Sequence, residues 1–293
     1  MTTRENQVHL GALLMLLGIA LLAAMDASAK WMVLDNIHPL QLLAVRSVVI
    51  VIVLIVGYSI RNNLSELRPT RPWIQALRGT SGIIAPLSFF LSLKYLPLTD
   101  AVVVFFTSVF AITIISAYFL GERVGWHRWS AVILGYFGVA IAMAPTGSGA
   151  IAGYALVLVS SISYAGLFTS GRWLSETESV SSLVFSYNAG VGLIACCLLP
   201  FLWTSMNATE WVLLMLLSGF AVAGHFAITY AFSLAEASAI APFEYTAIIW
   251  ALLFDYYIWG SIPPLTTCAG AALIISSGLY VLHRENKNRQ AGR

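Results

Sequence analysis

Apolar residues run through this chain in long blocks rather than at alternate positions. Proline, glycine, asparagine and charged residues interrupt the blocks and mark turns. Ten blocks result, at roughly 9–29, 40–60, 73–93, 98–119, 127–144, 151–171, 181–203, 210–232, 238–258 and 264–282. Each approaches the length of about 20 residues that a helix needs to cross a hydrocarbon core. Clear breaks fall at Asn36-Ile37-His38-Pro39, Arg61 to Arg71, Gly121-Glu122-Arg123 and Pro145 to Gly149. The breaks near Pro97 and Ser238 are short, so those helices must turn back tightly. Period-two strands are absent, which excludes the pattern of a membrane β-barrel. The expectation is an all-α polytopic membrane protein with ten transmembrane helices.

Composition agrees. Of 293 residues, 59% are hydrophobic and 10% charged, and mean hydropathy is +0.85. A soluble domain is about 25% charged. The net charge of +2 gives no basis for a nucleic-acid partner. Its distribution is more informative. With ten spans and the N-terminus inside, one side receives twelve Arg and Lys residues, from Arg4 and Arg61 through Arg172 to Arg293. The other side receives Lys30 and Lys94, and Arg46 falls within a span. Twelve against two places both termini in the cytoplasm by the positive-inside rule. Cys196, Cys197 and Cys268 lie in apolar runs without His or Asp at ligand spacing, so they are expected to be small apolar side chains. Arg4, the run from Leu10 to Ala24 and Ala27-Ser28-Ala29 have the order of a cleaved signal peptide. An internal repeat counts against cleavage, because the same segment recurs in mid-chain.

The repeat pairs span one with span six and span four with span nine. A shift of 142 aligns Gly11 with Gly153, Ser28 with Ser170, Lys30 with Arg172 and Trp31 with Trp173. A shift of 139 aligns Thr107 with Thr246, Tyr118 with Tyr257 and Gly121 with Gly260. Each half then holds five spans, an odd number, so the second half enters from the opposite side. The expected organisation is an N-terminal tail over 1–8, a first repeat over 9–145, a second over 150–283 and a basic tail over 284–293. Inverted repeats give a molecule two near-equivalent packings around a site at their interface.

Several segments resemble a known family. Ala241-Pro242-Phe243-Glu244-Tyr245-Thr246, Trp250, Gly270-Ala271-Ala272-Leu273-Ile274 and Gly278-Leu279-Tyr280 resemble the second EamA domain of the drug/metabolite transporter superfamily. Leu93 to Asp100 and Phe119-Leu120-Gly121-Glu122-Arg123 resemble the first. Asp26 to Trp31, Arg46, and Arg71-Pro72-Trp73 through Leu77-Arg78-Gly79 resemble the subgroup that includes carriers of S-adenosylmethionine and riboflavin. One departure is Gly260-Ser261, where the first half has Gly-Glu. The resemblance implies two inverted five-helix repeats in a bacterial cytoplasmic membrane. It also implies movement of small organic metabolites, with no covalent chemistry and no cofactor.

A charge in the hydrocarbon core costs about 2.5–3.5 kcal/mol on insertion scales, so charges within spans mark cavities or partners. Glu244 leads the candidates: it follows Pro242, which cannot donate an N–H and disturbs the preceding turn. A carboxylate there can bind an amine or exchange a proton; otherwise it ties span nine to a neighbour. Tyr245 can stack on an organic substrate or simply pack. Asp26 and Lys30 are four apart on one helical face, acid first. They either pair or contact substrate. Arg46 retains its proton and needs an anion. A structural or gating ion pair is favoured there, and its repeat counterpart lies near Asn188, which is neutral. His225 follows Gly224 in span eight and is expected to be a satisfied polar group more often than a ligand. Asp255 is placed near the outer end of span nine, within reach of water. Arg78 is expected to snorkel to the headgroups. Trp31, Trp73, Trp126, Trp129, Trp203 and Trp211 sit at span ends, as an interfacial belt would. Two glycosylation sequons, at Asn63 and Asn207, lie in the cytoplasm and close to the membrane, respectively.

Metalloprotease, serine-hydrolase and phosphate-loop motifs are missing. The leading expectation is a secondary transporter for a small polar organic metabolite, coupled to protons through Glu244 or Asp26. Alternatives are an exporter of amino acids or toxic compounds with the same fold, an intramembrane enzyme on a lipid-like substrate, and a non-transporting accessory subunit.

Overall fold

A computed structural model describes residues 2–119, 121, 125–143, 150–234 and 240–291. The expected turns at Glu122-Arg123, Pro145–Gly149 and Ser238 lie outside the described residues. The helices are α1 (Thr2–Leu34), α2 (Pro39–Ile60), α3 (Pro72–Ser81), α4 (Ile84–Ser92), α5 (Leu98–Phe105), α6 (Thr107–Phe119), α7 (Trp126–Ala142), α8 (Ala150–Leu174), α9 (Val180–Leu202), α10 (Ala208–Leu234), α11 (Thr246–Trp259) and α12 (Leu265–Ala291). A 3-10 turn, Ala241–Tyr245, leads into α11. Among the described residues six segments are long and apolar enough to cross a membrane, and Trp129–Ala142 and Leu265–Val281 are shorter apolar helices. Two broken segments, α3–α4 and the turn with α11, complete ten passes in a multi-pass membrane protein. The first helix begins well before position 9, and the last runs past position 282.

Three of the expected single runs are broken in mid-span. Pro86 has no N–H for the Gly82 carbonyl, and the helix divides between α3 and α4 there. In the fourth pass α5 ends at Phe106, where the Val109 N–H bonds Phe106 O in a tighter turn. In the ninth, Pro242 starts a 3-10 turn that ends at Tyr245. Phe106 and Tyr245 are 139 apart, so the two breaks are repeat mates. Their rings stack with centroids 5.2 Å apart.

Packing repeats as the sequence does. A Cβ on Gly18 of α1 would lie 3.0 Å from the Gly224 carbonyl of α10, so only glycine lets these helices approach. The repeat mates of these positions are Ser160 of α8 and Ala85 of α4. They touch as well: Ser160 Oγ donates to Ala85 O at 2.7 Å. Helices α2 and α9 pack on each other, and α7 packs along α12.

The outer surface suits lipid. Leu13, Phe119, Phe201, Tyr257 and Leu265 are among many large apolar side chains left exposed, while Ser47, Gln41, Ser92, Ser161 and Asp255 are buried. The connections over 35–38, 93–97, 203–207 and 260–264 share one face, called distal below. Those over 61–71 and 175–179 share the terminal face with both chain ends.

Candidate functional site

The distal end holds the most fully satisfied charge cluster. Asp255 of α11 is fully buried. One carboxylate oxygen accepts Lys30 Nζ at 2.6 Å and the Leu98 N–H at 3.0 Å. The other accepts the Thr99 N–H at 2.6 Å and Thr99 Oγ1 at 2.8 Å. Asp255 therefore closes the open N-terminus of α5, where backbone N–H groups lack helical partners and the dipole favours an anion. Lys30 also lies over the Trp259 ring, 4.2 Å from its centroid. Beside it, buried Asp100 accepts Thr267 Oγ1 at 2.8 Å and is bonded by Tyr154.

Two expectations are corrected here. Lys30 does not pair with Asp26; it turns to Asp255, whose carboxylate is already ringed by donors and needs a cation to neutralise it. Asp255 does not reach water, because α5 descends onto it, a contact between segments 156 residues apart. A third correction concerns Arg78. Rather than snorkelling, it turns inward and donates to Leu167 O of α8 and Leu183 O of α9 at 3.3–3.4 Å. Gly171 makes room: a Cβ there would stand 2.6 Å from an Arg78 nitrogen.

The remaining in-span polar groups gather in the middle of the bundle. Arg46 of α2 is buried and interacts electrostatically with Asp26 of α1, Tyr187 of α9 and His225 of α10. Glu244 interacts with Tyr164 of α8 and with Tyr245, and Tyr164 with Tyr187. Asp26, Tyr164, Tyr187, His225 and Glu244 all keep solvent-accessible surface. Polar groups that sense one another across six elements and still keep accessible surface mark out a candidate chamber. Phe89, Phe105, Tyr164 and Phe168 form an aromatic wall, with successive centroids 5.3–6.3 Å apart.

Of the expected residues, Asp26, Arg46, His225, Glu244 and Tyr245 face or border this chamber. His225 Nδ1 bonds the Ala221 carbonyl at 2.7 Å. A carbonyl only accepts, so Nδ1 carries the proton and Nε2 is left for another partner. Asn188 is buried and donates to Val184 O at 2.9 Å within its own helix. Lys30 and Asp255 belong to the distal cluster. The expected protein ion pair for Arg46 is not present: Lys30–Asp255 is the side-chain ion pair among the described residues. Tyr164, Tyr187, Thr99 and Asp100 were not among the sequence candidates. Asp100 had a signal, an acid in the first turn after Pro97; the tyrosines had none. Among the described residues no group of His, Cys, Asp or Glu could hold a metal.

The halves are joined differently along two edges. On the α2–α9 edge, the Gln41 amide exchanges hydrogen bonds with the Thr204 backbone at 2.9 and 3.1 Å on the distal face. On the terminal face, Glu178 accepts the Thr70 and Arg71 N–H groups at 3.1 and 2.8 Å, Ser179 Oγ donates to Glu66 O at 2.7 Å, and Tyr58 bonds Ser181. Burial works against the Glu178 charge, but the bonds from Thr70, Arg71 and Ser182 outweigh it and hold the carboxyl below the usual carboxylate range. In the fourth and ninth passes, the distal half α5 packs against α11 and α12. The terminal half α6 packs instead against α7 and α8.

The chain is similar to known proteins along most of its length. The profile of the EamA-like transporter family matches residues 9–144 and 151–282. The riboflavin transporter of Rhizobium johnstonii is 27% identical over 297 residues, covering 99% of this chain and 96% of its own. The S-adenosylmethionine uptake transporter of Rickettsia conorii is 26% identical over 223 residues, 76% of each chain. The pseudopaline exporter of Pseudomonas aeruginosa is 28% identical over 204 residues, 68% of this chain and 71% of its own. A solved crystal structure at 17% identity covers 96% of this chain and 98% of its own with a TM-score of 0.65, a likeness of fold. Matched by its family profile over both halves, the chain belongs to the EamA-like transporter family.

Proposed function

We propose that this protein is a secondary transporter that carries a small polar organic metabolite across the cytoplasmic membrane by alternating access. One observation carries the reading: a polar chamber at the repeat interface, sealed at one end by a buried ion pair that joins the two repeats. Lys30 and Thr99 come from the first half and Asp255 from the second. The charge asymmetry of the loops supports cytoplasmic termini, a reading in which the sealed distal end faces outside. On this reading the chamber opens inward, on the side of α6 and the Ala241–Tyr245 turn. Alternating access requires the Lys30–Asp255 seal to part and the terminal halves of passes four and nine to close.

The substrate class follows from relatives that carry S-adenosylmethionine, riboflavin and pseudopaline, all polar organic metabolites. Glu244 serves as the proton-coupling carboxylate, because it borders the chamber and has no cationic partner among the described residues. The test is flux of labelled S-adenosylmethionine and riboflavin into proteoliposomes holding only this chain, with and without an imposed proton gradient. Saturable flux supports transport and rules out a mere accessory subunit. Its absence for every polar metabolite tried refutes it. Flux indifferent both to the gradient and to Glu244→Gln removes the coupling role alone.

A further inference from the structure

Arg46 is a buried cation without an ion-pair partner among the described residues. It is 7% exposed and sits two turns into α2. Its Nε has no hydrogen-bond partner. One terminal nitrogen reaches Met25 Sδ at 3.8 Å, a weak acceptor, the neutral Tyr187 hydroxyl is a hydrogen-bond partner of the guanidinium, and the guanidinium lies 5.9 Å from the Phe90 ring centroid, so no partner supplies negative charge. A guanidinium offers five donors in a fixed fork and stays charged. Its planar fork suits a carboxylate, which accepts two parallel bonds.

Across the chamber, Asp26 has no hydrogen bond or ion pair among the described residues and keeps accessible surface. It lies near enough to Arg46 to feel its charge but does not pair with it. Two opposite charges that converge without neutralising each other leave room for a ligand carrying both complements. The aromatic wall of Phe89, Phe105 and Tyr164 stands beside them on α4, α5 and α8.

We propose that Arg46 seats a carboxylate of the substrate while Asp26 takes its ammonium, so that the chamber selects metabolites with an amino-acid head and an unsaturated ring. This rests on the transport reading above and narrows it. Solutes without a carboxylate leave the fork of Arg46 empty and bind more weakly.

The experiment compares matched pairs on the purified full chain in nanodiscs. S-adenosylmethionine and L-tryptophan are set beside decarboxylated S-adenosylmethionine and tryptamine, with riboflavin as a ring compound lacking a carboxylate. Ligand-dependent thermal stabilisation gives apparent Kd values. At least one acid should bind about ten- to a hundredfold more tightly than its amine, the range of a charge-assisted hydrogen-bonded contact. Arg46→Gln should abolish that preference, and Arg46→Lys should retain part of it. Indole-3-propionate, which keeps the carboxylate and lacks the amine, should bind less tightly than L-tryptophan in the wild type and equally to it in Asp26→Asn. Equal binding within the pairs, binding by riboflavin and the amines alone, or no binding by any acid overturns the proposal. So does a preference that persists in Arg46→Gln. If that variant does not fold, the wild-type pairs and Asp26→Asn decide. Saturable riboflavin flux without any preference for an acid would leave the transport reading standing and remove this one.

Discussion

The α2–α9 edge and the edge formed by passes four and nine both join one repeat to the other, yet they are fastened differently. Along α2–α9, hydrogen bonds cross between the halves at both faces, through Gln41 and Thr204 at one end and Glu178, Thr70 and Arg71 at the other. Along passes four and nine, the distal end carries the Lys30–Asp255–Thr99 cluster, and at the terminal end α6 packs on α7 and on α8 of the other half rather than on α11 or α12. The repeat explains the asymmetry in chemical terms. The mate of Lys30 is Arg172, a cation again, but the mate of Asp255 is Ser116. The Lys30–Asp255 pair is therefore not repeated between its own mate positions. An edge bonded across at both ends acts as a pivot, whereas an edge whose bonds among the described residues gather at one end is the one expected to open there and close at the other.

The strongest way to break this comparison is Asp255→Asn. It leaves the Lys30 ammonium buried without a counter-ion and removes charge from the α5 N-terminus. Losing one partner of a buried pair costs about 3–5 kcal/mol. The expected outcome is a lower unfolding temperature together with opening of the distal face. A single cysteine at position 187, in a chain with Cys196, Cys197 and Cys268 replaced, reports that opening through membrane-impermeant maleimide. The parent should label from the terminal side, and the Asp255→Asn protein from the distal side as well. Unchanged labelling and unchanged stability would show that the cluster is ordinary packing.

Gly278→Leu tests the other end. A Cβ at Gly278 would collide with the Tyr245 hydroxyl oxygen, so the ring must swing out and give up its stack on Phe106. Overpacking of this kind costs about 1–3 kcal/mol. Flux should fall by far more than stability, because the wedge stands where passes nine and ten meet beside the moving break. A loss of flux no greater than that of a lipid-facing substitution such as Phe201→Leu would count against a role for this break.

These two edges differ in how far the sequence disclosed them. Ten passes and the five-plus-five repeat were legible because apolar length is a local signal, and because Lys30–Trp31 and Arg172–Trp173 share an order. Asp26, Arg46 and Glu244 could be nominated because an in-span charge is conspicuous against apolar neighbours. Their partners could not. Asp26 and Lys30 satisfied a local pairing rule, and the tertiary fold overrode it by bringing Asp255 to Lys30 from 225 residues away. Arg78 likewise had the spacing of an interfacial residue until the gap left by Gly171 gave it two carbonyls. Tyr164 and Tyr187 carried no signal, since an aromatic ring in an apolar helix looks the same toward lipid and toward a chamber.

On the pivot edge, Glu178→Gln should cost about 1–3 kcal/mol, the range for leaving buried donors poorly satisfied. It should hardly change flux. The carboxyl lies below its usual range in the folded protein. Its contribution is therefore full above the unfolded value of about 4.3 and is lost as pH falls through the lower folded value. Thermal unfolding between neutral and acidic pH should show the wild type losing this margin in acid, and Glu178→Gln lacking it throughout. A variant equal to wild type at neutral pH would break the assignment.

The smallest effect belongs to Ser179→Ala on the same edge. Ser179 caps α9 by accepting the Ser182 N–H at 3.0 Å, and its hydroxyl donates to Glu66 O at 2.7 Å. Loss of a cap costs about 1 kcal/mol. Thr70, Arg71, Tyr58 and Arg78 still bridge the halves nearby, so the edge should hold its register and flux should stay at the wild-type level. A fastening shared among many weak bonds loses little with each one, whereas the distal cluster turns on a single carboxylate. Ser179→Ala with a flux defect as deep as that of Asp255→Asn would mean that the α2–α9 edge also moves during transport, and the distinction between pivot and gate would have to be abandoned.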